Sequence, residues 1–444
     1  MPRSFLLSLF VSVAASAATT QTPVTFYKDV LPVLQRNCQG CDRPGEAAPM
    51  SFLDYQATRP YAKAMKAAVL SKKMPPWLAD PHYGKFSNDR SLPEADLKTL
   101  VAWADAGAPE GNPKEAPAPA KFVDGWNIGK PDIELEMPNA FDVQAKGTIE
   151  YQYVVIPTGF TEDRWVQSAE VRPGNRAVVH HVIAFIRPKG SKWMADAKPG
   201  VPFVPSHETR RRPAAENANN NRQANADPQG EAMLASELLV GYAPGLQPWI
   251  CEPGAAKLVS AGSDIVLQLH YTANGTEATD KTKIGLIFYK GTPEKRQLTM
   301  NATNAKFAIP PGDPAYKVES QITLNENSEL VGLMPHMHLR GKDFLYKVVY
   351  PTGESSTLLS VPKYDFNWQL FYFFEKPMVM PKGTRIECTA HFDNSPNNPA
   401  NPDPSKEVKW GDQSWEEMMI GWFDVAIPAK ADPMNLYRSK RSGD

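Results

Sequence analysis

Apolar and polar positions keep two different rhythms along this chain, and the change falls near residue 128. Between residues 25 and 110 the apolar positions recur at helical spacing. In VTFYKDVLPVLQRNC they are Phe26, Val30, Val33 and Leu34, the i, i+4, i+7, i+8 pattern of one helix face. A later helix is expected with Ser91 as its N-cap and Glu94, three residues on, as the capping-box partner. Leu97, Leu100, Val101 and Trp103 supply its apolar face. The run GAPEGNPKEAPAPAKF then breaks the pattern. Its Pro, Ala and Gly predict a linker over 111–127.

Beyond residue 128 the runs are short, β-branched and aromatic. IEYQYVVIP, AVVHHVIAFI, SDIVLQLHYTA, KIGLIFY, FLYKVVYP and TRIECTAHF are separated by Gly, Pro, Asn and Asp. Many such strands without alternating helices predict β-sandwich or barrel domains. A stretch of about 310 residues is long enough for two of them, expected at 128–298 and 299–437. The predicted fold class is therefore multidomain, a small all-α domain at 25–110 followed by two all-β, jelly-roll-like domains. ETRRRPAAENANNNRQANADPQGEA interrupts the first, and its composition predicts a polar surface loop over about 207–232.

Composition narrows the functional classes. The 444 residues are 42% hydrophobic, enough for sizeable cores, and 48 Lys+Arg balance 49 Asp+Glu. No basic stripe points to nucleic acid and no acidic tail to a cationic partner. The 42 prolines favour short strands and irregular loops over long helices. At the N-terminus Arg3 precedes an apolar run and then Ala15-Ser16-Ala17. This predicts a signal peptide over 1–18, too short to span a bilayer, with a buried N-terminal helix as the alternative. Export to the periplasm or beyond, and a mature chain without a transmembrane segment, are the expectations. Such a compartment permits disulfides. Of the four cysteines, Cys38 and Cys41 form C-x-x-C, and whether Cys251 and Cys388 pair is open.

Five of the eight histidines fall in strand-like runs: His180-His181, His270 and His336-x-His338. Residues i and i+2 of a strand share a face, so His336 and His338 are expected to point the same way. His180 and His181 point oppositely unless a bulge or strand end intervenes. Singly, each group has a plain alternative: a solvent-facing pair, a core histidine beside a surface one, a structural histidine. Met418 is one of fifteen methionines, most of which pack cores. Together, imidazoles and a thioether suit copper better than magnesium or calcium, and the grouping predicts one all-nitrogen site and one carrying sulfur. No G-x-S-x-G elbow or H-E-x-x-H motif points to hydrolase chemistry.

Read in order, HH, QLHY, HMHLRGK and EEM along two β domains resemble the copper type II, ascorbate-dependent monooxygenases, the peptidylglycine α-hydroxylating and dopamine β-hydroxylating enzymes. The resemblance covers about residues 130–437, and FAIPPGDPAYKVES is similar to the start of that family's second domain. It implies one copper held by His180, His181 and His270. It implies a second, catalytic copper held by His336, His338 and Met418, where O2 reacts and a substrate C–H bond is hydroxylated. The first copper would store and deliver an electron across an open, solvent-filled cleft. Met334, Ile420 and Trp422 stand where peptide-amidating members carry an arginine, an asparagine and a tyrosine for the substrate carboxylate, so a more apolar pocket is expected. Met419 replaces that family's cysteine and leaves Cys388 without the family's partner.

The N-terminal segment, with Met74-Pro75-Pro76-Trp77 and LPEADLKTLVAWADAGAPEG, resembles a c-type cytochrome domain. That resemblance implies haem c bound through Cys38 and Cys41, with Met74 as distal ligand. Asp42 stands where the C-x-x-C-H motif needs histidine. Three readings stay open: a haem-free module with a Cys38–Cys41 disulfide, haem with a substitute ligand such as His82, or a variant within a haem-binding lineage. With haem the module would feed electrons to copper; without it an external electron donor must. His207 is expected in the polar loop, and His391 either near the second copper or as a structural residue. The expectation is an exported copper-dependent monooxygenase-type oxidoreductase acting with O2 on a small-molecule or peptide substrate. Its rivals are a non-catalytic copper-binding or electron-transfer protein of the same fold and a purely structural secreted protein.

Overall fold

Strand outweighs helix, 36% against 12%, and the helices are few and short. In the computed structural model, residues 23–437 are described except 47, 124 and 206–235. The expected signal peptide at 1–18 and the whole of the polar loop at 207–232, with His207, lie outside the described residues.

The helical part closes around Phe26, Leu34, Leu100 and Trp103, each no more than 1% exposed. Phe26 begins a single π turn, Phe26–Val30, that runs into the helix Leu31–Asn37. Its amide donates to Pro109 O (3.0 Å), and Trp103 Nε1 donates to the same carbonyl (3.0 Å), which ties the end of this part to its beginning. The last helix is Glu94–Asp105, and its N-cap is Pro93, not Ser91. Pro93 is extended (ψ 141°) directly before Glu94, so the helix starts later than the capping-box spacing predicts, and the Ser91 amide donates to Asp89 Oδ1 instead.

Residues 77–88 leave the helical core and dock on the far β region. Phe86 and Trp77 meet Tyr372 edge-on at 5.5 and 4.9 Å. Asp80 N donates to Ser360 O and Ser87 N to Phe373 O.

The β body has a long nine-stranded sheet and two four-stranded sheets. One core lies between the long sheet and the sheet containing Val179–Arg187 and Asp264–Tyr271, the other between the long sheet and the sheet containing Gly341–Val349 and Arg385–Phe392. The boundary expected at 298 falls inside the strand Lys295–Thr303. That strand pairs in parallel with Ala255–Val259 and antiparallel with Ile420–Pro428, so the two cores share one continuous sheet there. Lys257 is fully buried at this seam. Its ammonium donates to Leu238 O (2.6 Å) and Thr299 Oγ1 (2.7 Å) and sits 4.2 Å from the Trp249 ring, so the buried charge is satisfied.

Candidate metal centre

The strands Val179–Arg187 and Asp264–Tyr271 pair antiparallel with His181 opposite His270. Their register slips between Val179 and His181, leaving His180 as the extra residue of a bulge. A regular strand would send His180 to the opposite face; the bulge lets both imidazoles converge with His270. The ligand atoms of the three residues all lie within 4.8 Å of one another. His181 Nδ1 is 3.1 Å from His180 Nδ1 and 3.3 Å from His270 Nδ1. Burial lowers the pKa of all three, His270 to about 3. For His181 the neighbouring His270, His180, His336 and His338 lower it further. Neutral imidazoles with converging lone pairs are the form that binds a metal ion. Tyr151 walls the group, its ring 5.3 Å from His181 and 4.6 Å from His270.

The second pair is assembled differently from the expectation. The strand Ser328–His336 stops at His336, and His338 sits in the turn that follows. Strand alternation therefore does not align the pair, yet the ring centroids are 5.2 Å apart with perpendicular planes. Each Nδ1 is anchored to an acceptor, His336 to Gln369 Oε1 (2.6 Å) and His338 to Glu416 O (3.2 Å). Both acceptors require the hydrogen on Nδ1, which leaves Nε2 as a lone pair. His338 Nε2 is buried with no hydrogen-bond partner. An orphaned buried acceptor is costly in a native fold, and a metal ion would satisfy it. Burial lowers His336 to about 4 and His338 well below its usual value.

Met418 lies one pleat beyond the last ladder pair, His336 opposite Ile420. Its neighbour Glu417 is fully buried and accepts from the amides of His338 (2.9 Å) and Arg340 (2.6 Å). The chain at 416–418 is thus fastened to the turn that carries His338. Burial pushes the Glu417 carboxyl up, while these amides and the Arg340 guanidinium pull it down. Met418 itself is partly buried against the core that contains Trp422 and Met334.

The open cleft implied by the resemblance is not what separates the two groups. The Phe366 ring, 8% exposed, stacks on His180 at 5.5 Å and lies 6.3 Å from His270 and 6.0 Å from His338. One aromatic side chain borders both groups, because the segment between Ser355–Val361 and Tyr372–Met380 fills the space between them. Tyr364 pins it: its hydroxyl donates to Met337 O (2.8 Å) and accepts from Met337 N (3.1 Å). Phe366 and Gln369 escaped the sequence reading, since DFNWQLFY has no spacing relation to the histidines. Glu417 was visible as an acidic neighbour of Met418.

No family model and no curated protein matches this chain. Among solved structures it is similar to the VP2 subviral particle protein of infectious bursal disease virus, at 10% identity over 68% of this chain and 73% of that one, TM-score 0.19. It is also similar to PBCV-1 VP54 fitted into a reconstruction of the virophage Sputnik, at 10% identity over 65% of this chain and 99% of that one, TM-score 0.18. Overlaps of that quality carry no argument. No helix among the described residues is long and apolar enough to cross a membrane.

The C-x-x-C segment offers a different donor set. Cys38 packs against the helical core with Met50, whereas the Met74-Pro75-Pro76-Trp77 run leads to the second β region. All four cysteines are free thiols. Burial holds Cys38 protonated, its pKa pushed up to about 12. His82 has a side chain 83% exposed, sits on the docked segment and pairs with Asp80 at 2.6 Å. A buried carboxyl at Asp42 in place of the proximal histidine, with no imidazole beside the C-x-x-C among the described residues, does not fit a haem iron. His391 is also accounted for, its Nδ1 2.7 Å from Asp343 Oδ1, as a structural histidine. Cys251 and Cys388 lie in different cores, Cys388 so close to Gly421 that a Cβ there would be 2.5 Å from its sulfur.

Asp42 is 5% exposed, and burial raises its carboxyl from 3.8 to about 6. The folded form holds its proton where the unfolded form has lost it. Its contribution is therefore favourable at low pH and is lost as pH rises through about 6. Asp42→Asn should raise stability near neutral pH by about 1 kcal/mol, allowing for partial solvent screening, and leave it unchanged near pH 4. Thermal melts at both pH values check this.

Proposed function

We propose that this chain is an exported, copper-dependent oxidoreductase of the monooxygenase type. In this reading the first residues are an export signal, the helical part is a haem-free cytochrome-like module, and the two β cores are two copper domains. The single observation that carries it is the gathering of five buried or half-buried imidazoles into two groups that meet at Phe366 through His180, His270 and His338, with His338 Nε2 buried and unpaired. His180, His181 and His270 would hold one copper, and His336, His338 and Met418 the other. Nitrogen donors and a thioether favour copper among the divalent metals and stabilise its reduced form. Bound copper supplies the one-electron chemistry toward O2, with the overall balance R–H + O2 + 2e⁻ + 2H⁺ → R–OH + H2O.

The protein's own residues set the conditions for that chemistry. Gln369 and the Glu416 carbonyl fix each imidazole in the tautomer that presents Nε2. Phe366 and Tyr151 keep water from the histidines. Glu417 braces the turn between the strand end and Met418. The electrons come from an external donor, because the C-x-x-C segment lacks the ligands for haem.

A second reading, a non-catalytic copper or electron-transfer protein, is favoured by one feature: the packed contact of both groups with the same ring, which leaves little open space between them. Copper reconstitution followed by O2 electrode measurements with ascorbate tests both. Two equivalents of copper with ascorbate-dependent O2 consumption support the oxidoreductase. Two equivalents without consumption favour the second reading, and fewer than two sink both.

A further inference from the structure

His338 Nε2 has a counterpart beside the first histidine group. The hydroxyl of Tyr151 is also buried without a hydrogen-bond partner. Tyr151 is 4% exposed and stands directly before the strand Gln152–Pro157. That strand pairs antiparallel with Asp264–Tyr271, Gln152 opposite Leu269. One step back along the register, Tyr151 falls opposite His270, as His181 does from the other side. Cross-strand neighbours share a face, so Tyr151, His270 and His181 form a row across three strands. The ring distances of 4.6 Å to His270 and 5.3 Å to His181 follow from it.

The main chain of Tyr151 is tied to the second group. Its amide donates to Gln413 Oε1 (3.4 Å), and Gln413 N donates to Glu416 Oε2 (3.0 Å). The carbonyl of Glu416 is the one that holds His338 Nδ1. Phe366 also borders both groups, but it brings no polar atom. The nearby groups that could pair with the Tyr151 hydroxyl are engaged elsewhere. Tyr153 Oη accepts from Gln268 Nε2, Tyr364 is bonded to Met337, and Glu417 holds the amides of His338 and Arg340. Burial holds the phenol protonated, so it has a hydrogen to donate. A buried donor without an acceptor is costly, and native folds rarely leave one.

We infer that the Tyr151 hydroxyl donates a hydrogen bond to a small ligand held beside His180, His181 and His270, an acceptor no larger than a water molecule or a triatomic anion. The inference rests on the proposed function and deepens it. Three protein ligands leave a metal ion an open position, and the one unpaired donor against these imidazoles belongs to Tyr151. His180 and His270 are half-buried, so the group can be reached by a small molecule although its packing excludes bulk solvent. Tyr151 is then more than a wall: it selects ligands that accept a hydrogen bond and fixes their direction.

The test compares the full chain with Tyr151→Phe, which keeps the ring and deletes the hydroxyl. Azide is the probe, and its binding to the copper(II)-loaded protein is read from the charge-transfer absorption. Both proteins should hold the same copper, because the hydroxyl is not a ligand of the metal. At least one phase of azide binding should weaken by roughly 10–100-fold in the variant, the loss of a hydrogen bond to a charged acceptor. The melting temperature of the metal-free variant should stay the same or rise, since the donor it deletes is unpaired there. Unchanged azide affinity in every phase, loss of copper from Tyr151→Phe, or a lower melting temperature of the metal-free variant would each overturn the inference and leave the proposed function standing. A native chain that takes up no copper would overturn the proposed function and this inference with it.

Discussion

His338→Ala should hold one copper where the native chain holds two, and should lose ascorbate-dependent O2 consumption. The imidazole it removes carries the buried, unpaired Nε2, and its other nitrogen is already fixed on Glu416 O. Loss of an outer partner alone lowers metal affinity by roughly 10–100-fold, and loss of a direct ligand must exceed that. Two effects on stability oppose each other. Truncation leaves a small cavity, but it also deletes an unsatisfied buried acceptor that costs about 1–3 kcal/mol in the metal-free fold. The melting temperature of the metal-free protein should therefore move little while the copper content halves. His181→Ala is the counterpart. It opens the ladder pair with His270 and should remove the other copper, leaving the His336–His338 site filled. Copper analysis of the two variants separates the sites. Retention of two coppers in both variants would refute the assignment, and loss of both from either variant would refute two independent sites.

The sequence made the histidine groups legible because strands impose a strict two-residue rhythm. The exception at His180-His181 could be foreseen as a bulge, and the register slip after Val179 is that bulge. What brings His336 and His338 together could not be foreseen. The strand ends at His336, two residues before the pair is complete, and the geometry is restored by Gln369 and Glu417, which are distant in sequence. Phe366 was hidden for the same reason: its place between the two groups depends on a segment pinned by Tyr364, not on any local pattern. The β character of the body was plain from periodicity. The shared sheet was not, since pairing Lys295–Thr303 with Ala255–Val259 is a long-range choice of edges. At Ser91 a local rule lost to a stronger one, the extended Pro93 that fixes where the helix begins. The C-x-x-C segment has no imidazole beside it among the described residues, and Asp42 had signalled that in the sequence.

Glu417→Gln should weaken the second copper site without touching the first. Each carboxyl oxygen of Glu417 accepts one backbone amide, from His338 and from Arg340, on either side of Leu339. A carboxamide keeps one acceptor and turns a donor toward the other amide, so one bond is lost and two donors face each other in a fully buried place. The expected loss of stability is about 2–3 kcal/mol. Arg340, 2% exposed, keeps its bonds to Asn394 Oδ1 and Trp415 O, which hold it in place. The turn carrying His338 and the chain carrying Met418 are then no longer fastened to each other. Copper affinity at that site should fall by roughly 10–100-fold, the usual effect of losing a partner that orients a ligand. The His180, His181 and His270 site lies on other strands and should keep its copper. Glu417→Asp, which keeps both acceptors but shortens the reach, should fall between native and Gln. Urea unfolding of the metal-free protein and copper titration of the folded one read the two effects separately. A drop in stability with unchanged copper affinity would make Glu417 a structural brace only, and no change in either would show that the turn does not depend on it.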